Sequence, residues 1–327
     1  MIRDRLGRLF LAIAIGLAAA LAAGGCGASA PATGTSAKRL THLTVGVLPI
    51  VDTVSLYIAI KEGYFTRHGL SVAPKMLAAG TDAIPDMLAG SIDITTGNYV
   101  SFIVATANDV VKIRILAEAS MCNADSLNVL ALPSAKISGP AELAGKSIAV
   151  NGTGNVQTLT INALLKADHV NPATVKYVAI PFAGMVAALK AGRVDAMSAA
   201  QPFITDAEKA GAVSVLAQCQ GPTAGLPLGG YFATNAWVQK NPKTALAFQR
   251  AIEEAQAKAA SDRALVDQIL PTYIKITPKI AASIGLPGYP VAENGPQLQR
   301  LADLMRTGGL LAEPLRISQM LFHPASS

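Results

Sequence analysis

The amino-acid sequence predicts an α/β protein made of two similar lobes. From residue 43 onward, short runs rich in β-branched residues alternate with longer amphipathic runs, a pattern typical of largely parallel sheets flanked by helices. The segment 87–94 is echoed by the segment 189–196, about a hundred residues later. Without the first 25 residues about 300 remain, which exceeds one ordinary core and suits two domains of about 100 to 150 residues each.

The individual elements follow in chain order. Strands are predicted over 43–48, 70–73, 92–95, 112–117, 126–133, 147–150, 175–179, 194–197, 213–217 and 229–234. Thr53 is positioned to N-cap a helix that runs toward Tyr64, and Gly63 and Gly69 bracket the end of that helix. Further helices, expected to pack around the first lobe, are predicted over 242–261, 262–270, 278–284 and 296–307.

The internal echo indicates one structural unit per lobe. In both copies a helix ends at a glycine (Gly90, Gly192), one residue intervenes, and a strand begins with a β-branched residue and an aspartate (Asp93, Asp195). Each strand runs into a small polar loop, 95–98 in the first copy and 198–201 in the second. The alternative is that unrelated αβ units converge on this pattern by chance.

The domain boundaries follow from two strands placed where the chain would pass between the lobes. We predict hinge strands over 126–133 and 229–234. The first lobe then comprises 41–130 and 229–327, and the second lobe comprises 131–228.

The N-terminal segment has the pattern of an export signal. Arg3, Arg5 and Arg8 precede an apolar run over 9–23 that is too short to span a bilayer comfortably, and small residues lead to Cys26. This end resembles the lipobox of bacterial lipoproteins, which implies a signal peptide over 1–25, a lipidated Cys26 and a flexible tether over 26–40. Cleavage at a nearby alanine and an uncleaved anchor remain alternatives. The predicted location is extracytoplasmic, lipid-anchored at the cell membrane.

Charge and motif content exclude several classes of protein. The chain has 27 Lys and Arg against 21 Asp and Glu; three basic residues and one acidic residue fall in the signal, which leaves 24 against 20. Because these charges are scattered, nucleic-acid binding is not expected. The sequence has no Gly-x-Ser-x-Gly or His-x-x-x-His motif, and His42, His68, His169 and His323 fall outside the predicted loops of the site. We therefore predict no catalytic residue, no metal and no cofactor. We also expect a monomer.

Cys122 and Cys219 are the cysteines that remain once Cys26 is lipidated. An even pair in an oxidising compartment favours a disulfide. Two separate buried thiols are the alternative, because the sequence does not give the distance between them.

A set of motifs resembles a known family. The matching residues are Val45-Gly46-Val47-Leu48-Pro49, the Gly-Tyr-Phe at 63–65, the Gly-Leu-x-Val at 69–72, both Ala-Gly-x-Val/Ile-Asp units and the segment 143–150. They are similar to the solute-binding proteins of bacterial ABC importers, in the group that binds nitrate, sulfonates, taurine and thiamine pyrimidine precursors. The resemblance implies a two-lobed periplasmic-binding-protein fold (type II), with each lobe a mostly parallel sheet flanked by helices, two hinge strands and docking on a membrane permease.

The candidate ligand site lies in the loops at the carboxyl ends of the predicted strands, where open α/β sheets bind ligands. The predicted ligand-binding residues are Asp52, Thr53, Thr81, Gly97 and Asn98 from the first lobe, and Thr153, Gly154, Asn155 and Gln201 from the second. None of these loops contains Lys or Arg, which disfavours a multiply charged anion.

Several of these residues have an alternative structural role. Asp52 and Asp125 could hold an amine or a ring N–H, or could simply cap a helix or form a turn. The segment 151–155 could contact an anionic ligand at a helix N-terminus, form an ordinary tight turn, or form a nucleotide site. Trp237 is expected to pack beside a helix, with stacking on a ligand ring as the alternative.

The sequence thus predicts an extracytoplasmic solute-binding component of an ABC importer. Its solute is a small sulfonate-like or pyrimidine-like molecule that is neutral, zwitterionic or monoanionic. The alternative is a secreted enzyme or sensor module on the same scaffold.

Overall fold

The computed structural model describes residues 39–323 of the 327-residue chain. The predicted signal peptide, Cys26 and most of the predicted tether lie outside the described residues. No helix within 39–323 has the length and apolar character needed to cross a bilayer.

The strands lie close to the predicted positions. They are β1 (Thr41–Val47), β2 (Leu70–Met76), β3 (Ile94–Asn98), β4 (Ile113–Met121), β5 (Asn128–Ala131), β6 (Ser147–Val150), β7 (Lys176–Ala179), β8 (Ala196–Ala199), β9 (Val213–Ala217) and β10 (Pro227–Thr234).

The helices pack on both faces of the sheets. They are α1 (Val54–Lys61), α2 (Tyr64–Arg67), α3 (Ala83–Ala89), α4 (Tyr99–Ala107), α5 (Val156–Ala167), α6 (Phe182–Lys190), α7 (Phe203–Lys209), α8 (Asn235–Lys240), α9 (Pro242–Ser261), α10 (Arg263–Ile269), α11 (Pro278–Ala281) and α12 (Gly295–Thr307).

Two five-stranded sheets of the same design form the two lobes. Their strand orders are β2-β1-β3-β10-β4 and β7-β6-β8-β5-β9. In the first sheet β10 runs antiparallel to its neighbours, and in the second sheet β5 does so, whereas the other pairings are parallel. The prediction of two mostly parallel α/β sheets is confirmed. In each sheet the antiparallel strand is the one that arrives from the other lobe.

The passage between the lobes differs from the predicted hinge strands. β5 pairs along its whole length with β8 and β9, so it belongs to the second sheet, and β10 pairs only within the first sheet. The joining segments are therefore 122–127, which overlaps the start of the predicted strand 126–133, and 218–226, which precedes the predicted strand 229–234. β5 belongs to the second sheet, although the predicted boundary at 130 cut through it. A disulfide between Cys122 and Cys219, with Cα atoms 5.2 Å apart, ties the two segments together.

The echoed segments form the same structural unit in each lobe. Gly90 and Gly192 end their helices with φ angles of 77° and 66°, a left-handed conformation that glycine adopts without steric cost. The Oδ2 atom of Asp93 accepts the backbone N–H of Thr44 at 2.8 Å, and that of Asp195 accepts the N–H of Ser147 at 2.7 Å. Each aspartate thus fastens the start of its strand to the neighbouring parallel strand.

Apolar side chains cover both faces of both sheets. In the first lobe Phe248 and Tyr231 are buried in one cluster, while Phe102 and Phe232 stack in another with ring centroids 4.3 Å apart. The second lobe has two smaller clusters on its sheet. The loops that follow the strands lie between these clusters and line the cleft.

Candidate functional site

A cavity of about 70 Å³ lies between the lobes, at the carboxyl ends of β1, β3, β6 and β8. Its apolar lining comprises Leu48, Ile50, Ala119, Leu127, Val156, Phe182, Ala200 and Leu228. Its polar lining comprises Asp52, Thr53, Thr96, Asn98, Asn151, Asn155 and Gln157.

Asp52 is the ionisable group among the residues that line the cavity. It lies in the short turn Val51–Thr53 after β1, and its Oδ1 accepts the hydroxyl of Ser120 at 2.6 Å. Burial raises the pKa of Asp52, since removal from water disfavours the charged form, and the Ser120 bond partly opposes this rise. Neither Lys, Arg nor His lines the cavity. The wall can therefore accept a hydrogen bond from an amine or a ring N–H, but it offers no cation to an anionic group.

Tyrosines from the C-terminal part of the first lobe hold the turn that carries Asp52. The hydroxyl of Tyr289 donates to the carbonyl of Val51 at 3.1 Å, and that of Tyr273 donates to the carbonyl of Ile50 at 3.1 Å. Burial raises the pKa of both phenols. Because their protons bond backbone carbonyls, these tyrosines orient the turn that carries Asp52.

The other polar groups of the first-lobe wall serve the backbone. Thr53 occupies the N-cap position of α1, but its hydroxyl donates to the carbonyls of Leu48 and Ile50 at 3.1 and 3.0 Å instead of accepting a helix N–H. The prediction that the Thr53 side chain caps this helix is thus wrong. Asn98 N-caps α4 by accepting the N–H of Ser101 at 2.9 Å.

The second-lobe wall is built from neutral amides at the start of α5. Asn155 N-caps this helix by accepting the N–H of Thr158 at 3.1 Å, while the buried Oε1 of Gln157 accepts the backbone N–H of Asn151 at 2.7 Å. The side chain of Asn151 donates to the carbonyl of Ala78 in the first lobe at 3.2 Å. The loop 151–155 is therefore held from within its own lobe and contacts the other lobe.

The structure brings five of the predicted ligand-binding residues to the cavity, namely Asp52, Thr53, Gly97, Asn98 and Asn155. The remaining four, Thr81, Thr153, Gly154 and Gln201, lie outside its lining. Thr81 and Thr153 are exposed to solvent. Asp125 is also exposed and lies outside the lining, so it does not face the cavity as Asp52 does.

Gln201 turns away from the position that its counterpart Asn98 occupies. Its side-chain oxygen accepts the hydroxyl of Thr205 at 2.9 Å, so the amide bonds the start of α7. Its backbone carbonyl accepts the N–H of Val51 across the cleft at 3.2 Å, and the neighbouring Ala200 lines the cavity. The two strand-end loops are equivalent in the fold but present different atoms to the cavity.

The sequence interpretation did not single out Gln157 and Phe182 as site residues, although both line the cavity. Phe182 stacks on Phe203 with centroids 5.3 Å apart and gives the second wall a flat apolar surface. The available signal for Gln157 was the set of polar residues Gln157, Thr158 and Thr160 in the first turns of the helix that follows the loop 151–155. Trp237 packs in the first lobe, where its Nε1 donates to Oδ1 of Asp93 at 2.9 Å, so it does not stack on a ligand in the cleft.

No group of three or more His, Cys, Asp or Glu side chains within 39–323 is arranged to hold a metal ion. The residues that line the cavity offer hydrogen bonds and apolar contacts.

Solved structures with the same fold include two bacterial binding proteins and a fungal protein. The alkanesulfonate-binding protein SsuA from Xanthomonas axonopodis pv. citri, solved with MOPS bound, is 18% identical with a TM-score of 0.71, over 86% of this chain and 98% of that one. The periplasmic nitrate-binding protein NrtA from Synechocystis PCC 6803 is 17% identical with a TM-score of 0.74, over 86% of each chain. The Candida albicans CA3427 gene product, which has the generic periplasmic binding protein fold, is 14% identical with a TM-score of 0.68, over 88% of this chain and 98% of that one.

These similarities confirm the predicted periplasmic-binding-protein fold. The profile described as NMT1/THI5 like matches residues 51–263, and the chain belongs to this family. No curated protein matches the sequence.

Proposed function

We propose that this protein is the extracytoplasmic solute-binding component of an ABC importer, which captures a small organic molecule between its two lobes and delivers it to a membrane permease. The observation that carries the proposal is the cavity at the strand ends of both sheets, with apolar walls and a few polar groups from each lobe. Support comes from the shared fold with an alkanesulfonate-binding and a nitrate-binding periplasmic protein.

The solute is a small sulfonate-like or pyrimidine-like molecule, neutral, zwitterionic or monoanionic. Asp52 favours a solute with an N–H donor, because its carboxylate would repel an anionic group placed beside it. Phe182 and the aliphatic lining favour a flat or apolar body. Nitrate, an anion without a donor, suits this wall poorly.

The lobes close on the solute by bending of the joining segments 122–127 and 218–226. Binding is stoichiometric and is not followed by turnover, so the protein is not an enzyme. Small-angle scattering should show a smaller radius of gyration with saturating solute, and an unchanged radius would contradict closure.

A lipid on Cys26 would hold the protein, as a monomer, at the outer face of the membrane, beside the permease. Cys26→Ser should release the protein from membranes or leave it unprocessed, which fractionation measures. Equal membrane retention and normal maturation of the variant would contradict the anchor.

The binding proposal is tested by a thermal-shift panel of taurine, MOPS, 4-aminopyrimidine and nitrate, together with native mass spectrometry of any co-purified solute. For a probe that binds, Asp52→Asn should weaken the affinity about 10- to 150-fold, because a hydrogen bond between charged groups contributes roughly 1.5 to 3 kcal/mol. Thr153→Val is the matched control, since its side chain is exposed and outside the cavity lining. Catalytic conversion of a bound probe, or equal affinity in Asp52→Asn, would overturn the proposed role.

A further inference from the structure

A buried chain of hydrogen-bonded side chains crosses the second lobe from the cavity wall to the joining segments. It consists of Gln157, Ser198 and Gln218, with exposed fractions of 2%, 0% and 0%. Buried amides and hydroxyls are costly unless they are fully bonded, so a continuous polar chain in this core needs a reason.

At the cavity, one amide oxygen of Gln157 organises the wall. It accepts the backbone N–H of Asn151 at 2.7 Å and the side-chain Nδ2 of Asn155 at 2.9 Å. Both asparagines line the cavity, and Asn151 bonds Ala78 of the first lobe. The orientation of Gln157 thus sets the loop 151–155 and its contact with the other lobe.

From Gln157 the chain continues through the centre of the sheet. The Nε2 of Gln157 donates to the hydroxyl of Ser198 at 3.0 Å, and that hydroxyl donates to Oε1 of Gln218 at 2.6 Å. The Nε2 of Gln218 then donates to the hydroxyl of Thr160 at 2.8 Å. Because every bond points from donor to acceptor in the same direction, each one polarises the next.

At the other end, Gln218 belongs to one joining segment and bonds the other. It precedes Cys219 in the segment 218–226, and its backbone N–H donates to the carbonyl of Leu127 in the segment 122–127 at 2.9 Å. Gln218 thus bonds both joining segments through its backbone and accepts the hydroxyl of Ser198 through its side chain.

We propose that Gln218 is a positioning residue of the binding site, which fixes the cavity-lining loop 151–155 through Ser198 and Gln157 and ties that loop to the joining segments. Its importance for capture rests on the proposed solute-binding function. The coupling itself is a property of the chain without solute, so it can be tested separately.

The test is hydrogen–deuterium exchange of the solute-free protein. Gln218→Leu keeps the apolar bulk but removes the amide, and the amides of 151–155 should exchange at least tenfold faster than in the wild type. Peptides of α7, in the same lobe, should change little. Gln256→Leu is the matched control: it is 1% exposed, its amide bonds the carbonyls of Glu118 and Ala119 in the first lobe, and it should leave 151–155 unchanged.

Two further variants keep the test decisive if Gln218→Leu does not fold. Ser198→Ala removes only the central hydroxyl and should accelerate exchange of 151–155 about three- to tenfold. In Gln218→Glu, the amides of 151–155 should be protected from exchange as in the wild type at low pH, because the neutral acid both accepts from Ser198 and donates to Thr160. At high pH the ionised carboxylate cannot donate to Thr160, so this protection should be lost. Each variant is compared with the wild type at the same pH.

Unchanged exchange at 151–155 in Ser198→Ala, or equal acceleration in α7, would overturn the proposal. So would the lack of any pH dependence in Gln218→Glu. A failure of the probes to bind would leave these exchange results intact, so the two proposals can fail independently.

Discussion

The two lobes share a topology but differ in their electrostatics. Each has the same strand order, the same antiparallel strand from the partner lobe and the same helix–Gly–x–strand unit with its aspartate. Among described residues with a resolved shift, the carboxyls with a raised pKa, Asp52, Glu118, Glu253 and Glu293, all belong to the first lobe. In the second lobe Asp195 has a lowered pKa, because the backbone N–H of Ser147 stabilises its charge.

This difference carries into the cleft. The first wall presents the carboxylate of Asp52 on a turn whose backbone is held by tyrosines, and the second presents amides held by Gln157. A repeated scaffold thus fixes where the binding loops lie, while the chemistry of each wall depends on side chains outside the repeat.

The largest effect is expected from the disulfide that ties the two joining segments together. The Cys122–Cys219 disulfide closes a loop with a sequence separation of 97, which encloses the second lobe. Cys122→Ala/Cys219→Ala should lower the free energy of unfolding by about 2 to 5 kcal/mol, because the unfolded chain gains freedom. Urea unfolding measures this loss.

Reducing agent should destabilise the wild type to a similar extent and leave the double variant unchanged. If the double variant unfolds at the same urea concentration as the oxidised wild type, the disulfide does not contribute to the stability of the protein.

The next effect is a pH dependence of stability that arises from carboxyls of the first lobe. Burial raises the pKa of Glu118 from 4.5 to about 7 and that of Glu293 to about 8, and the Oε2 of Glu118 has no protein partner. The folded state then binds more protons at these two carboxyls than the unfolded state does between about pH 4.5 and 8. The stability that they contribute is therefore fully present below about pH 4.5 and is lost progressively as the pH rises to about 7 and 8.

Glu118→Gln should reduce the fall in the free energy of unfolding between low and high pH by about 1 to 3 kcal/mol, because the neutral amide cannot ionise. Urea unfolding at pH 5, 6.5 and 8 measures it, with the exposed Glu62→Gln as control. Equal slopes in the wild type and Glu118→Gln would show that this carboxyl is not the source of the pH dependence.

The smallest effect tests whether the repeated aspartates have equal roles. Asp93→Asn and Asp195→Asn should each destabilise the protein by about 1 to 2 kcal/mol, since each weakens charge-assisted bonds to a backbone N–H. For Asp195, whose pKa is lowered, the contribution is present near neutral pH and is lost as the pH falls below about 4.

The indole of Trp237 bonds Asp93, the aspartate of the first copy. Trp237→Phe should therefore destabilise the protein further in combination with Asp93→Asn. Calorimetric melting of the single and paired variants measures these differences. A loss in one copy only would show that the repeated unit stabilises one lobe and is incidental in the other.

The sequence alone determined the positions of the strands along the chain, the two-lobe design and the repeated unit. These features depend on local signals: alternating apolar runs, a left-handed glycine such as Gly90 and Gly192, and an aspartate beside the start of a strand. The loops that form the cleft were also predictable, because the carboxyl ends of parallel strands gather at one edge of a sheet.

The tertiary structure decided which side chains face the cavity. Gln201 follows its strand much as Asn98 does, yet its amide bonds Thr205, whereas the helix residue Gln157 reaches the wall from behind. The direction of a side chain at a strand end depends on partners distant in the sequence, such as Ser198 for Gln157 and Ser120 for Asp52. Those partners meet only when the sheets are assembled, so no local pattern in the sequence encodes the result.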